Sequence, residues 1–420
     1  MFFSGQMGRD VRTGALLTRY QDSTPEPTAM QSAFPWVADM EAPVGAQAIA
    51  IYERYRALLR KENAELGHLL RYHIYQRDKH FFSVFDRVRR GYEPAPPAST
   101  AVGMGRFEGS GRATLCIDAI ALRQRAEKEL GPRTVLGGAA KHAAAAHFSH
   151  VVAAGHFLFL AGQIPIDTSR PGSPLVRNYD DIPEQGRFLR VGRSHEDTRN
   201  GPIAAQTWFT YDLIRQHLEA AGSSLDCILN LIVYLQDIRD FPTFHRVHEH
   251  FFEAHAPSMT VIEVGEVGHK GTLIEIEPTA VLATHRSKRT IAEPRGWRAP
   301  AQLSPIVHAD GLAFLSGIAG AGDSRGRSNI YAMQAAAAVA ELERRLAAAR
   351  SGLRHIVHLT VYLDDISQFA SAERVLLKAF GKHRPALTVL EVPAPAPVRG
   401  TRLSLTAIGW LGDGAAAAVY

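Results

Sequence analysis

Cysteine is almost missing from this chain: 420 residues contain only Cys116 and Cys227. The two fall in separate strand-like or helix-to-strand stretches without metal-ligand spacing. That argues against a disulfide framework and a cysteine zinc site, and leaves two reduced, buried thiols. Also lacking are a run of about 18 apolar residues that would span a bilayer and the basic, apolar and cleavage regions of a secretion leader. The expected location is therefore the cytoplasm, with no membrane partner. The formal charge of +5 comes without an aromatic-interleaved basic face. Its arginines and lysines gather in the connectors "RQRAEKELGPR" and "HRSKRTIAEPRGWR", read as solvated linkers, so nucleic acid is not an expected partner.

What the sequence does have is repetition. "LIVYLQDIRDF" (231–241) returns as "LTVYLDDISQF" (359–369), placing Asp237 and Asp365 128 positions apart, the spacing that also separates Gln206 from Gln334 and Pro257 from Pro385. A more diverged copy lies upstream. Tyr75 and Asp78 precede Tyr234 and Asp237 by 159 positions, as Gln47 precedes Gln206 and Asp118 precedes Glu277. Landmarks at fixed spacing signal duplication. Three units are expected, at 1–125, 145–285 and 298–412, with a long insert at 167–200 in the middle one. The first starts without the opening strand of the other two. Either another part of the chain completes its sheet, or the sequence begins downstream of the natural start.

In the middle copy, "FSHVVAAGHFLFLAGQIPID" reads as a hairpin ending at a turn on Gly162. "IAAQTWFTYDLIRQHLEAAG" has helical spacing and stops at Gly222. The β-branched "CILNLIVYLQDI" reads as a strand, "FPTFHRVHEHFFEAH" as a helix, and "MTVIEVGEV" and "TLIEIEPTAVLA" as two closing strands. The predicted order is ββαβαββ, an α+β unit with two helices on one face of a mixed sheet. The other sheet face then needs cover, and three such units can cover one another in a ring.

The "SGQ/AGQ" turn, the "AAQ…EAAG" helix, "VYLxD", "FFxxH" and "IEIEPTAV", in that order, resemble the RidA/YjgF family of imine and enamine deaminases. The resemblance covers most of the chain three times over. It implies Rid-like, chorismate-mutase-like domains forming an intramolecular pseudo-trimer with ligand clefts between neighbouring copies. It also implies a substrate-holding arginine at positions that here are Ser99, Met259 and Leu387, and a water-positioning glutamate at Cys116, Glu275 and Ser404. None of the first three can imitate a bidentate guanidinium, and only Glu275 remains of the second set. The family's first-strand tyrosine falls near Phe148 and Leu303.

Glu275 is thus the candidate catalytic residue, a carboxylate in an apolar strand suited to proton transfer, with Glu277 on the same face. A hydrogen-bonded structural carboxylate is the plain alternative. Gly162, Gln163, Phe148 and Met259 are the candidate substrate-binding residues. Backbone N–H groups at the Gln163 turn are expected to face the cleft, the alternative being a turn residue serving its own backbone. Ser149 with His147 or His150 is set aside as a nucleophile pair because adjacent strand residues point to opposite faces. His245, His248 and His255 lie too far apart along a helix for one ion and read as a solvated face, so no metal site is expected. The insert arginines Arg187, Arg190 and Arg193 are candidates to fold over a cleft, against surface solvation as the simpler reading.

The leading expectation is hydrolytic deamination of an imine or enamine, or a related water addition, at an interdomain cleft with Glu275 as acid/base and no cofactor. Alternatives are a chorismatase-like or ring-opening hydrolase, and a non-catalytic small-molecule-binding or scaffold protein. A small-molecule substrate is the expected partner, and the fused ring is expected to be a monomer or at most a dimer.

Overall fold

A computed structural model describes residues 1–24, 35–107, 111–137, 147–253, 256–298, 302–320 and 329–411. His255 and the expected boundaries at 145 and 412 lie outside them. The first copy contains β1 (Phe2–Gln6), α1 (Pro35–Arg60), β2 (Leu69–Gln76), α2 (Phe82–Tyr92), β3 (Ala98–Gly103) and β4 (Leu115–Ala121). A connector follows with the short α3 (Glu127–Leu130) and β5 (Thr134–Leu136). The second copy is β6 (Val151–Ala154), β7 (Phe157–Leu160), α4 (Ser194–Ala220), β8 (Ile228–Leu235), α5 (Phe241–Phe251), β9 (Ser258–Glu263) and β10 (Ile274–Val281). Then come β11 (Thr290–Ala292), β12 (Ile306–Ala309), β13 (Leu312–Leu315), β14 (Ile318–Ala319), α6 (Ile330–Ala348), β15 (Ile356–Leu363), α7 (Phe369–Phe380), β16 (Ala386–Glu391) and β17 (Leu403–Trp410).

The ββαβαββ order is present in full in the second and third copies. The sheets run β1-β4-β2-β3, β5-β6-β7-β10-β8-β9 and β11-β12-β13-β17-β15-β16, with β14 on β17. Among the described residues no strand pairs outside β1, so the first sheet stays one strand short. In every copy the last helix leads into a parallel edge pair: β2 with β3, β8 with β9, β15 with β16. The repeated landmarks have local jobs. Asp78, Asp237 and Asp365 each accept a backbone N–H two residues on, capping the turn into the second helix. Gln206 of α4 accepts from Leu273 N–H and donates to the carbonyls of Val176 and Gly271. Gln47 and Gln334 clamp their own loops in the same way.

One face of each sheet buries the two helices of its own copy. The opposite faces meet in shared clusters to which all three copies contribute, such as Phe2, Phe159 and Phe314, or Tyr75, Tyr234 and Tyr362. Contacts run cyclically. Gly162 N–H donates to Ser99 O from second copy to first, Gly317 N–H to Met259 O from third to second, and Leu387 N–H to Ser4 Oγ from third to first. Three equivalent threonines repeat the pattern: Thr100 donates to Glu277, Thr388 to Asp118 (2.8 Å), and Thr260 pairs with Thr406 (2.9 Å).

The connectors depart from the solvated linkers expected of them. β5 and β11 extend the sheets that follow, and two connector arginines are staples. Arg133 donates to the carbonyls of Leu69, Ala95 and Pro96, and Arg289 to those of Ile228 and Ala256. These carbonyls mark strand and loop ends that helices and sheets leave without partners, which is why a charged connector folds inward.

Candidate functional site

Three seams lie where an edge strand meets the next copy. In two of them a serine hydroxyl bridges the strands: Ser316 Oγ accepts from Met259 N–H at 2.8 Å and Ser4 Oγ from Leu387 N–H at 3.0 Å. The residue in that place at the seam between first and second copies is Ala161, which has no hydroxyl. That seam also holds Glu275. On β10, Glu275 pairs in register with Tyr234, as Cys116 pairs with Tyr75 and Ser404 with Tyr362, so the three positions are structural equivalents.

Glu275 is 4% exposed. Its Oε2 accepts Gly268 N–H at 3.2 Å, and Ala101 N–H of β3 also donates to the carboxylate. Gly162 lies so close that a Cβ there would collide with the carboxylate, which fixes glycine in the turn. Burial pushes Glu275 up to about 7, against the pull of Lys79 and the two N–H donors. A carboxyl group half ionised at neutral pH can both take and give a proton there.

Lys79 comes from the first copy. Its Nζ donates to Ala101 O at 2.6 Å, so the carbonyl and N–H of one edge-strand residue are held by Lys79 and Glu275 respectively. The two polar groups of a strand residue point the same way, which brings the ammonium and the carboxylate to one side of β3. Burial lowers the Lys79 pKa while Glu275 and Glu266 raise it. Lys79 was missed from the sequence, although the same position in the other copies is Ile238 and Ile366. One polar residue against two apolar ones at a repeated position was the available signal.

Gly162 and Glu275 are therefore brought together, whereas Phe148 packs against the shared cluster of Phe2, Phe159 and Phe314 and edge-on to His150. Gln163 does not present its amide to the crevice. Its N–H donates to Ile276 O and its side chain to Ala161 O, so it serves the ladder and the turn. Met259 lies at the seam between second and third copies, its backbone bonded to Ser316 and Gly317 and its side chain in the helix-side core of its own copy. The residue in its place beside Glu275 is Ser99, approached by Arg89 Nη1 at 3.4 Å.

Glu277 turns to a different task. His73 of β2 bridges Asp118 Oδ1 and Glu277 Oε1, the latter at 2.8 Å, and Arg71 reaches Glu277 at 3.2 Å. Burial alone would lower the His73 pKa, but the two carboxylates overcome it and hold the imidazolium up to about 10. His248 is not on a solvated face: it is fully buried, bonded to Tyr211 Oη at 2.7 Å and Gln302 O at 3.0 Å. Its position four residues after Phe244 puts it on the core stripe of α5. The insert arginines stay local. Arg187 donates to Ile182 O, Arg190 pairs with Asp180 and Arg193 with Glu196. Cys116 and Cys227 are free and buried. Among the described residues no three His, Cys, Asp or Glu side chains are grouped to hold a metal, and no helix is long and apolar enough to cross a membrane.

The repeated helix-backed sheets define a fold class, and comparison with known proteins gives the family. The family model described as Endoribonuclease L-PSP matches residues 139–282 and 295–400. A RutC family protein of Pyrococcus horikoshii is 34% identical over 133 residues, 32% of this chain and 85% of its own length. The 3-aminoacrylate deaminase RutC of Acinetobacter baylyi is 29% identical over 119 residues, 28% of this chain and 94% of its own. The solved yeast protein YEO7 is 27% identical, covers 36% of this chain and 98% of its own, and has a TM-score of 0.28. The chain belongs to this family, the RidA/YjgF family that its motifs resemble, and carries the family's domain in tandem copies.

Proposed function

We propose that the protein is a small-molecule enzyme that hydrolytically deaminates an imine or enamine in the crevice between its first and second copies, the three copies acting as a fused trimer. The observation that carries this reading is Glu275, a buried carboxyl group poised near neutrality against the Gly162 turn, with Lys79 on the facing edge of the neighbouring copy. The carboxylate takes a proton from water as it adds to the imine carbon, and the carboxyl form returns that proton to the nitrogen, giving a carbinolamine. Glu275 then passes the proton of the added hydroxyl to the nitrogen, so that the C=O bond forms as the C–N bond breaks with loss of ammonia. An imine carbon is already electrophilic, so no cofactor is needed for this step. Lys79 supplies the positive charge that keeps Glu275 ionised in part at neutral pH. The kinship with a 3-aminoacrylate deaminase supports the reaction type.

The test is ammonia release from freshly generated imines and enamines, both amino-acid-derived and cyclic. Glu275→Gln is expected to lose about 100-fold or more in kcat. An inactive wild type across the panel, or equal activity in the variant, would sink the reading. A non-catalytic role suits the other two crevices, where serine hydroxyls bridge the strands and Cys116 and Ser404 stand at the glutamate position.

A further inference from the structure

Two of the three seams are crossed by a short stretch that precedes the next copy's opening strand. Between second and third copies, Ser304 donates its N–H to Pro257 O and its hydroxyl to Ala256 O, while Leu303 packs into the core of Leu231, Phe252 and Met259. Between first and second copies, Ser149 makes the same pair of bonds to Pro97 O and Pro96 O. Each stretch then runs on as a strand, β12 on β13 or β6 on β7.

The seam between third and first copies has the seat without the occupant. Arg384 and Pro385 stand where Ala256 and Pro257 do, and among the described residues nothing donates to either carbonyl. Beside them a cavity of about 60 Å³ opens between Leu359, Phe369, Leu376, Phe380 and Leu387. It holds several times the roughly 10–15 Å³ that one water needs. Leu359, Phe380 and Leu387 are the counterparts of Leu231, Phe252 and Met259, the residues that Leu303 covers. Uncovered, Leu387 is partly exposed where Met259 is buried, and Leu377 beside it is 44% exposed. The charges at the rim, Glu373 and Arg384, are of opposite sign.

The edge of β1 is open as well. Phe159 and Phe314 pair with Val152 and Val307, and Ala161 and Ser316 donate their N–H groups to His150 O and Pro305 O. No described strand pairs with the outer side of the equivalent Phe2 and Ser4. Phe2–Gln6 also carries neither charge nor proline, the usual devices that keep an edge strand from pairing. The two openings adjoin, since Ser4 Oγ takes the N–H of Leu387.

We propose that this seam docks an extended segment of a partner polypeptide, in which a leucine enters the pocket and the serine after it donates to Pro385 O and Arg384 O. The segment then continues as a strand along β1. Gln302, Leu303 and Ser304 supply this chemistry at the sister seam. Main-chain bonds to a free edge give affinity, and a pocket for one side chain gives selectivity. The site lies at a different seam from Glu275 and does not rest on the deaminase reading.

Fluorescence anisotropy of the full chain with a labelled peptide of residues 302–309 tests it. One peptide is expected to bind per chain. The Leu303→Asp peptide should bind at least about tenfold more weakly, because it has no leucine to bury. Leu387→Asp in the protein should weaken the parent peptide to a similar extent. Amide hydrogen exchange needs no variant: the Phe2 and Ser4 amides should exchange fast in the free chain and at least about tenfold more slowly with peptide bound. No binding at millimolar peptide, equal binding of the Leu303→Asp peptide, full binding to Leu387→Asp, or Phe2 and Ser4 amides already protected without peptide would each overturn the site.

Discussion

At the scale of the residue, the proposed deamination depends on how far Glu275 departs from an ordinary carboxyl group. Burial raises its pKa to about 7, and Lys79 is the largest influence pulling it back. If the carboxylate form is the base, kcat/KM should rise with pH through a limb near 7 and level off above it. Replacing Lys79 by Met removes the cation that favours ionisation, so the limb should move to higher pH, and activity at pH 7 should fall while the alkaline plateau survives. A pH–rate profile of both proteins checks this. An unmoved limb would mean that Lys79 only holds the Ala101 carbonyl. Lys79→Arg keeps the charge and should leave the limb close to that of the wild type.

At the scale of the element, much of the architecture was legible because period and punctuation repeat. Asp237 and Asp365, or Gln206 and Gln334, recur at one spacing because each caps or clamps the same turn in each copy. The order of elements along the chain and the placing of both helices on one sheet face were read from such periodicity and punctuation, while the order of strands within each sheet was not. The connectors did not, since charge in a linker says nothing about which carbonyls it can reach. Arg289 illustrates the gap: its guanidinium is buried enough that desolvation lowers its pKa to about 10, and it satisfies Ile228 O and Ala256 O at once. Arg289→Ala should therefore cost on the order of 1–3 kcal/mol by leaving buried carbonyls without donors, whereas Arg12→Ala, on an exposed turn, should be nearly neutral. Denaturant melts of both variants decide it. The site was legible in part for a related reason. Glu275 stood out against Cys116 and Ser404, but which neighbour completes its crevice is a fact of three-dimensional order, and so Met259 was grouped with a glutamate it does not meet.

At the scale of the whole molecule, the ring is closed by charge as well as by apolar surface. His73, Arg71, Asp118 and Glu277 form a buried, balanced set joining first and second copies, and Thr388 ties the third to Asp118. The titration signs follow from this set. His73 is raised to about 10, so its contribution is complete below its unfolded pKa near 6.5 and declines as pH rises toward 10. Asp118 and Glu277 are lowered by their cationic neighbours, although burial opposes this, so their contribution is present above the ordinary carboxylate range and is lost on acidification. Stability should then peak in mildly acidic to neutral solution and fall on the alkaline side by roughly 1 kcal/mol per pH unit. His73→Ile, taking the residue found at position 232, should abolish that alkaline slope. It should also cost about 3–5 kcal/mol at pH 7, because two buried carboxylates lose their shared cation. Since shared clusters already cover the free face of every sheet and each parallel edge strand abuts the next copy, the wild type should run in light scattering as one chain or at most two. A larger mass would place further association on the outer helical surface, and an alkaline slope persisting in His73→Ile would move the titration away from the centre of the ring.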